Sequence, residues 1–216
     1  MSCINERDWN DSLNKLKDNG VVILDDFFNK DMCEKLHKRM VDEKNFHDDY
    51  DTYQAMDYTI EDDLTKLIVE DLHKACPELL SNFERAWSFI YNNKSKGVDV
   101  HADPSSYNIN VWVTPDESVK DIYKNGLNIY NVEIPKDSSW EKYNKDHDWL
   151  RELIYKKPHV IYRVPYKYNR AIIFNASLPH DTDDVSMKPG QKNKRVATQC
   201  YMARAHLIMI RNFCKR

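Results

Sequence analysis

The clearest potential for chemistry lies in residues 97–104, where His101 and Asp103 stand two positions apart. We interpret this segment as a short strand, in which side chains two positions apart point to the same face. His180, far along the chain, would add a third ligand. Two histidines and one carboxylate on one face of a metal leave other positions open, as at non-haem Fe(II) sites. The sequence therefore predicts a metal site formed by His101, Asp103 and His180.

A histidine followed two positions later by an aspartate is a weak signal by itself, because a chain of this composition contains such a pair about once by chance. The sequence holds a second pair, His47 and Asp49, in an acidic segment without a strand pattern. We interpret that second pair as the chance occurrence. The prediction for His101 and Asp103 rests instead on the order of the elements that follow them.

Length and composition indicate one globular unit. The chain has 216 residues, of which 41% are hydrophobic and 31% charged, with only four glycines. This length supports a single buried core, so we expect one domain spanning residues 1–216. The net charge of −3 provides no basic surface for nucleic acid, which makes a nucleic-acid partner unexpected.

The cysteines and the N-terminus predict a cytoplasmic protein. Five widely spaced cysteines, at positions 3, 33, 76, 200 and 214, favour reduced thiols over disulfides or a zinc site. The first residues are polar, and no apolar run approaches the ~20 residues of a membrane span. We therefore expect no membrane association, and the sequence leaves the oligomeric state open.

The first 80 residues predict a helical flank. Trp9, Leu13 and Leu16 recur at helical spacing before a glycine stop, and a buried strand follows at residues 20–24. Asn29 is expected to cap a second helix. Residues 42–58 are acidic and rich in tyrosine, and we interpret them as an irregular loop or lid. A third helix ends before Pro77.

Residues 81–216 have the period of strands instead. Ser138 and Glu141 resemble a capping box that opens one inserted helix. Helices followed by strands predict an α+β chain with a sandwich or jelly-roll core. The expected strands are residues 86–91, 97–103, 107–114, 126–132, 160–164, 171–174 and 195–201.

This succession resembles a known superfamily. A strand with His101 and Asp103, a second strand, a segment ending at His180, and Arg195 at the start of a last strand are similar to the Fe(II)/2-oxoglutarate-dependent oxygenases. The resemblance implies a double-stranded β-helix, a jelly-roll, cupin-like core in residues 81–216. It also implies Fe(II) as cofactor, with 2-oxoglutarate and O2 as cosubstrates.

Arg195 is suited to the far carboxylate of 2-oxoglutarate, because a guanidinium can hold a carboxylate through two parallel hydrogen bonds. Lys192, Lys194, Arg204 and Arg170 are rival cations, and we favour Arg195 because it begins the last strand.

Three further residues are candidates for the cosubstrate pocket. Asn110 and Trp112 would share one face of their strand with Asn108, and Tyr91 precedes the metal-binding segment. Core packing or exposure to solvent is the alternative role for each. Many relatives have a serine or threonine two residues after the arginine, where this chain has Ala197, so a second donor to the far carboxylate stays unassigned. Gln199 and Tyr201 could supply it.

The resemblance implies a dioxygenase that hydroxylates a C–H bond and releases succinate and CO2. Asp103 argues against halogenation, because related halogenases have a small residue in its place. We expect a small metabolite or amino acid as substrate. A peptidyl substrate such as proline is the alternative within the enzyme class, and a non-catalytic cupin-like binding protein is the alternative outside it.

Overall fold

The computed structural model of the protein describes residues 2–59, 61–79 and 83–202. The helices are α1 (Trp9–Asn19), α2 (Lys30–Asp42), α3 (Asp63–Ala75), α4 (Trp140–Lys145) and α5 (His147–Lys156). The strands are β1 (Val21–Leu24), β2 (Asp48–Asp49), β3 (Tyr53–Tyr58), β4 (Phe83–Tyr91), β5 (Lys94–Ser95), β6 (Tyr107–Trp112), β7 (Leu127–Tyr130), β8 (Ile161–Val164), β9 (Ala171–Asn175), β10 (His180–Thr182), β11 (Val185–Ser186) and β12 (Arg195–Met202).

The strands form one large sheet and two small ones. The large sheet has seven strands in the order β1-β9-β6-β12-β4-β3-β2, and the small sheets have the orders β10-β7-β8 and β11-β5. Every pair of strands is antiparallel. The predicted α+β class is therefore confirmed, and the sheets are antiparallel.

The two faces of the large sheet bury different sets of side chains, because successive residues of a strand point to opposite faces. The outer face packs against helices α1–α3 in a core that includes Leu36, Leu72, Ile109, Val111 and Val196. The inner face packs toward the small sheets in a core that includes Tyr91, Trp112, Leu127, Ile129 and Phe174. The residues of β6 expected in the pocket thus lie on the inner face.

The predicted N-terminal helices are confirmed with their caps. Gly20 ends α1 in the left-handed conformation at φ 72°, and its N–H bonds the carbonyl of Leu16. Asn29 caps α2 by accepting a hydrogen bond from the N–H of Met32 at 2.9 Å. Among the described residues, no helix is long and apolar enough to cross a membrane.

The cysteines agree with the expectation of reduced thiols as far as the structure describes them. Cys3, Cys33, Cys76 and Cys200 are all free and buried. Cys214 lies outside the described residues, as does Arg204.

Two expectations are wrong, one about residues 42–58 and one about the number of inserted helices. Residues 42–58 are not an irregular loop or lid, because β2 and β3 form a hairpin that extends the large sheet at its edge. Charged residues suit such an edge strand, and they obscured its period in the sequence. The inserted segment contains two helices instead of one. Ser139 caps α4, and Asp146 starts α5 by accepting a hydrogen bond from the N–H of Trp149.

Residues 97–103 are not a regular strand, which corrects the basis on which His101 and Asp103 were paired. One isolated bridge joins His101 to His180. On the other side, the N–H of Ala102 bonds the carbonyl of Tyr143 in α4 at 2.9 Å. The inserted helices thus satisfy backbone groups that a neighbouring strand would otherwise bond.

Gly97 permits the close approach of this segment to β10. A Cβ atom at Gly97 would lie 2.0 Å from the carbonyl oxygen of Thr182 and 2.5 Å from that of Asp183. Both obstacles are backbone atoms, so no side-chain rotation can relieve the clash.

We expect Gly97→Ala to lower the free energy of unfolding by about 3 kcal/mol or more, since overpacking against backbone is costly. Gly20→Ala is the matched control. There the strain is about 1–2 kcal/mol for a left-handed residue, and the nearest atom is the flexible Leu178 Cδ1 at 3.2 Å. Urea unfolding of both variants measures the difference, and equal losses would contradict the close-approach argument.

Candidate metal centre

The structure brings His101, Asp103 and His180 together. One potential ligand atom from each lies within 4.8 Å of the others, and this is the one such group found among the described residues. His180 Nε2 is 3.4 Å from Asp103 Oδ2, and His101 Nε2 is 3.9 Å from Asp103 Oδ1. Two imidazoles and a carboxylate therefore face one point from the same side.

Backbone hydrogen bonds hold these three residues in place. The N–H of His101 bonds the carbonyl of His180 at 3.0 Å, and the reverse bond is 2.8 Å. The N–H of Asp103 bonds the carbonyl of Ala176 at 2.9 Å. The imidazole centroids are 4.4 Å apart. The convergence thus comes from this two-way bridge and not from the alternation of a strand.

The histidines are fixed in one tautomer. His101 Nδ1 lies 2.7 Å from the carbonyl oxygen of Asp99, and His180 Nδ1 lies 2.9 Å from that of Leu178. A carbonyl can only accept, so each Nδ1 carries the proton and each Nε2 presents a lone pair. The histidines of metal sites are oriented in the same way.

Asp103 is held by side chains outside the ligand set. Asn108 donates to its Oδ2 at 2.6 Å, and Ser105 donates to the Oδ1 of Asn108 at 2.8 Å. Asn144 of α4 donates to the carbonyl of Ala102 at 3.0 Å and lies 3.5 Å from Asp103 Oδ1. These bonds fix the direction in which the carboxylate presents its free lone pairs.

The electrostatics suit a divalent cation. Burial is the largest influence on the Asp103 carboxyl and would raise its pKa, but the neighbouring His180 and His101, with a hydrogen bond from Asn108, lower that pKa. Burial and the neighbouring His180 lower the pKa of His101. A carboxylate and neutral imidazoles are the forms that bind metal, so the residues present fit such an ion.

Arg195 lies at the other end of the inner face and is completely buried. Its Nε donates to the carbonyl of Asn125 at 3.0 Å. Its guanidinium carbon lies 4.6 Å from the ring centroid of Tyr91 and 5.4 Å from that of Trp112. Its two terminal nitrogens have no hydrogen-bond partner within the described part of the chain. A buried cation in this state is prepared for an anion.

The inner face of β6 extends from the metal-binding residues to Arg195. Asn108 bonds Asp103, Asn110 follows two residues on, and Trp112 lies against Arg195. At ~3.4 Å per residue, Asn108 and Trp112 are about 14 Å apart along the strand. The Oδ1 atom of Asn110 and the Nε1 atom of Trp112 are buried and have no partner among the residues described. All four residues expected at the cosubstrate thus lie on one inner face.

The rival cations lie elsewhere. Arg170 binds Asp25 through Nε at 2.6 Å and Nη2 at 3.1 Å, on the outside of the molecule. Lys192 is exposed and Lys194 half-buried. None of the three presents a buried, unpaired cation to the inner face.

Among the side chains of β12 that the structure describes, none places a hydroxyl next to Arg195. Ala197 is buried beside Trp112 on the neighbouring strand, and Thr198 faces the opposite way, where its hydroxyl lies 3.1 Å from that of Ser88. Gln199 shares the face of Arg195 by alternation. The side chain of Tyr201 lies outside the described part of the structure.

The second pair, His47 and Asp49, is not part of any metal-binding group found among the described residues. His47 precedes β2, and its Nδ1 accepts a hydrogen bond from the N–H of Asp57 at 3.1 Å. The structure thus places the two His-x-Asp pairs in different settings.

Sequence reasoning missed the supporting residues. Asn108 was expected to share a strand face with Asn110 and Trp112 but was given no role at Asp103. The Asn125-Gly126 pair is a turn signal, and Asn125 indeed has a positive φ of 73°. Nothing in the pair indicates that the carbonyl of Asn125 would accept a hydrogen bond from Arg195. Asn144 carries no sequence signal, because its contact depends on how the inserted helices dock.

Comparison with known proteins finds similarity in three-dimensional structure. No protein-family model matches the sequence, and no curated protein matches it. A prolyl-4-hydroxylase from Pseudomonas putida gives a TM-score of 0.55 at 11% identity, over 94% of this chain and 98% of the other. HygX from Streptomyces hygroscopicus, crystallised with nickel, 2-oxoglutarate and hygromycin B, gives 0.59 at 7% identity, over 94% and 88%.

The α-ketoglutarate-dependent epimerase SnoN from nogalamycin biosynthesis gives a TM-score of 0.62 at 9% identity, over 90% of this chain and 82% of the other. The chain has the fold of the 2-oxoglutarate/Fe(II) oxygenases. The resemblance expected from the sequence is confirmed at this level, and it extends over at least 90% of the chain in these three comparisons.

We expect His101→Ala to abolish binding of Fe(II), because the loss of one of three protein ligands leaves an incomplete site. His47→Ala should leave binding intact, since His47 lies next to the β2–β3 hairpin and outside the group of His101, Asp103 and His180. Anaerobic titration with Fe(II) measures both affinities. The opposite pattern would assign the metal to the other His-x-Asp pair.

Asn108→Ala should weaken metal binding by about 10- to 100-fold, the usual effect of removing a side chain that orients a ligand. The matched control is Asn169→Ala, which removes another buried asparagine, bonded to the backbone of Phe28 at 2.9 and 2.7 Å. That variant should lose stability but keep its affinity for Co(II), measured by calorimetric titration. Equal affinity losses in the two variants would make Asn108 a general structural residue.

Proposed function

We propose that the protein is an Fe(II)- and 2-oxoglutarate-dependent oxygenase that hydroxylates a C–H bond of a small metabolite or amino acid. The observation that carries this proposal is a pair of complementary sites at the two ends of β6, one beside Asn108 and the other beside Trp112. One site presents two histidine lone pairs and a carboxylate, and the other presents an unpaired guanidinium.

The strand order supports a double-stranded β-helix as the scaffold. From β4 to β12 the chain crosses repeatedly between two sheets. The large sheet contains β4, β6, β9 and β12, and the smaller, three-stranded sheet contains β7, β8 and β10. Residues 98–101 lie beside β10 of the smaller sheet, because the N–H of Thr182 bonds the carbonyl of Val98 at 3.0 Å and His101 bridges His180. This alternation is what a jelly-roll core requires.

Each set of residues has a distinct role. His101, Asp103 and His180 would hold Fe(II) on one face, and Arg195 would bind the far carboxylate of 2-oxoglutarate. When bound, Fe(II) with 2-oxoglutarate and O2 supplies an oxidation that releases succinate and CO2 and hydroxylates the substrate. Tyr91 packs against the Arg195 guanidinium, and both side chains are buried.

Half-buried aromatic side chains provide a surface for the substrate. Phe89 and Trp87 of β4 are stacked at 6.1 Å between centroids, and Tyr53 of β3 lies 5.8 Å from Phe89. They share the inner face with Arg195, because Tyr91, Phe89 and Trp87 pair with alternate residues of β12. An apolar, partly open wall of this kind suits a small organic substrate.

The alternatives are a peptidyl hydroxylase and a non-catalytic cupin-like binding protein. A prolyl-4-hydroxylase is among the structures that share the fold, and HygX was crystallised with the small molecule hygromycin B. Fold does not determine the reaction, so each alternative needs its own outcome in the test.

Fe(II) and 2-oxoglutarate are added to the protein without oxygen, and O2 is then admitted. The succinate formed is measured without any substrate and again with pools of metabolites or peptides. We expect succinate, with the greatest increase from a metabolite pool. Arg195→Ala should weaken 2-oxoglutarate binding by about 100-fold, because it removes a buried charged partner, whereas Arg170→Ala should not.

The outcomes separate the candidates. A maximal response to peptides would favour the peptidyl hydroxylase, and no succinate with any pool would favour the binding protein. Equal effects of the Arg195 and Arg170 variants would remove Arg195 from the site.

A further inference from the structure

Three buried donor nitrogens belong to neighbouring side chains at the Arg195 end of the inner face, where the guanidinium carbon of Arg195 lies 5.4 Å from the ring centroid of Trp112. They are the two terminal nitrogens of Arg195 and Nε1 of Trp112, and none has a hydrogen-bond acceptor in the described residues. Both side chains are completely buried. Buried donors without acceptors are costly, so such a cluster is characteristic of a site that binds an acceptor.

Trp112 is held in one orientation. Its ring stacks on Tyr166 at 5.1 Å with an interplanar angle of 23°. The Tyr166 hydroxyl donates to the carbonyl of Thr114 at 2.5 Å, so its one hydrogen is already engaged. The indole N–H is therefore the donor of this stacked pair that is free for another molecule.

Arg195 is fixed independently, and this makes the arrangement rigid. Its Nε bonds the carbonyl of Asn125, and its two terminal nitrogens have no acceptor among the described residues. The Asn125 side chain in turn accepts from the N–H of Ser186 at 2.6 Å and donates to the carbonyl of Asp121 at 3.1 Å. Donors that are positioned before binding lose little entropy when an anion arrives.

Ala197 has a small side chain next to the indole of Trp112. Ala197 pairs directly with Trp112 across β12 and β6, so their Cβ atoms are neighbours on the inner face, about 4.5–5.5 Å apart. Position 197 provides no hydroxyl, and Trp112 brings an N–H to the same part of the pocket from the adjacent strand.

We propose that the indole N–H of Trp112 is the second donor to the far carboxylate of 2-oxoglutarate, beside the guanidinium of Arg195. This inference rests on the proposed function. One carboxylate oxygen accepts from Trp112, and the carboxylate accepts from both terminal nitrogens of Arg195, so all three buried donors are satisfied together. Trp112 thereby selects for a 2-oxo acid with a second carboxylate.

The test compares two five-carbon acids on the Fe(II)-loaded protein without oxygen. 2-Oxoglutarate has the far carboxylate, and 2-oxopentanoate lacks it. Trp112→Phe keeps an aromatic ring on Tyr166 but removes the N–H, so it should weaken 2-oxoglutarate binding about 10-fold or more and leave 2-oxopentanoate binding unchanged. Calorimetric titration measures both affinities.

Ala197→Ser in the Trp112→Phe background provides a rescue. A hydroxyl at position 197 would face the same part of the pocket, so the double variant should recover much of the lost affinity for 2-oxoglutarate. Trp140→Phe, the same substitution at an exposed tryptophan of α4, is the control and should not change the preference between the two acids.

A second measurement does not depend on the folding of the Trp112 variant. The chain has five tryptophans, and the full-length Zn(II)-loaded protein labelled with 15N at tryptophan would show their indole N–H signals. We expect 2-oxoglutarate, but not 2-oxopentanoate, to shift one indole proton strongly downfield. Replacement of the other four tryptophans one at a time assigns that signal to Trp112.

The outcomes are distinguishable. Failure of the unmodified protein to bind 2-oxoglutarate would contradict the proposed function itself. If the unmodified protein binds it, then equal binding by Trp112→Phe, a parallel loss for both acids, or the absence of a shifted indole signal would each overturn the role of Trp112.

Discussion

The two-way backbone hydrogen bond between His101 and His180 is the constraint on which the site depends. It joins two segments 79 residues apart in the chain and sets the imidazole centroids 4.4 Å from each other. Gly97 allows this approach because any side chain there would meet the backbone of β10. The rest of the fold holds these two segments in contact, through the large sheet on one side and the inserted helices on the other.

The inserted helices have a specific part in this arrangement. They bond the backbone of Ala102 through Tyr143 and Asn144, and His147 Nδ1 lies 2.8 Å from the carbonyl oxygen of Val100. Leu150 and Ile154 of α5 pack with Val100 in a separate small core. The metal-binding segment thus gains from helices the support that a neighbouring strand would give, while its side chains stay directed at the inner face.

The sequence predicted elements whose signals are local and missed those that depend on distant partners. The caps of α1 and α2 and the period of β12 are properties of a few adjacent residues, and these predictions were confirmed. The β2–β3 hairpin was missed because its charged edge hides the alternation. Residues 97–103 were assigned as a strand because their composition is that of a strand, yet their hydrogen bonds are shared with α4.

The same division applies to the candidate site. Residue types and chain order, together with the resemblance to a superfamily, made His101, Asp103, His180 and Arg195 candidates, because metal ligation and carboxylate binding each require particular side chains. Alternation along β6 placed Trp112 on the inner face, but its role could not follow from that strand alone. It depends on Ala197 across the sheet, on the stacked ring of Tyr166 and on the buried guanidinium, which come from three other segments. The donors that complete such a pocket are determined by packing, and packing becomes visible only when the strands are side by side.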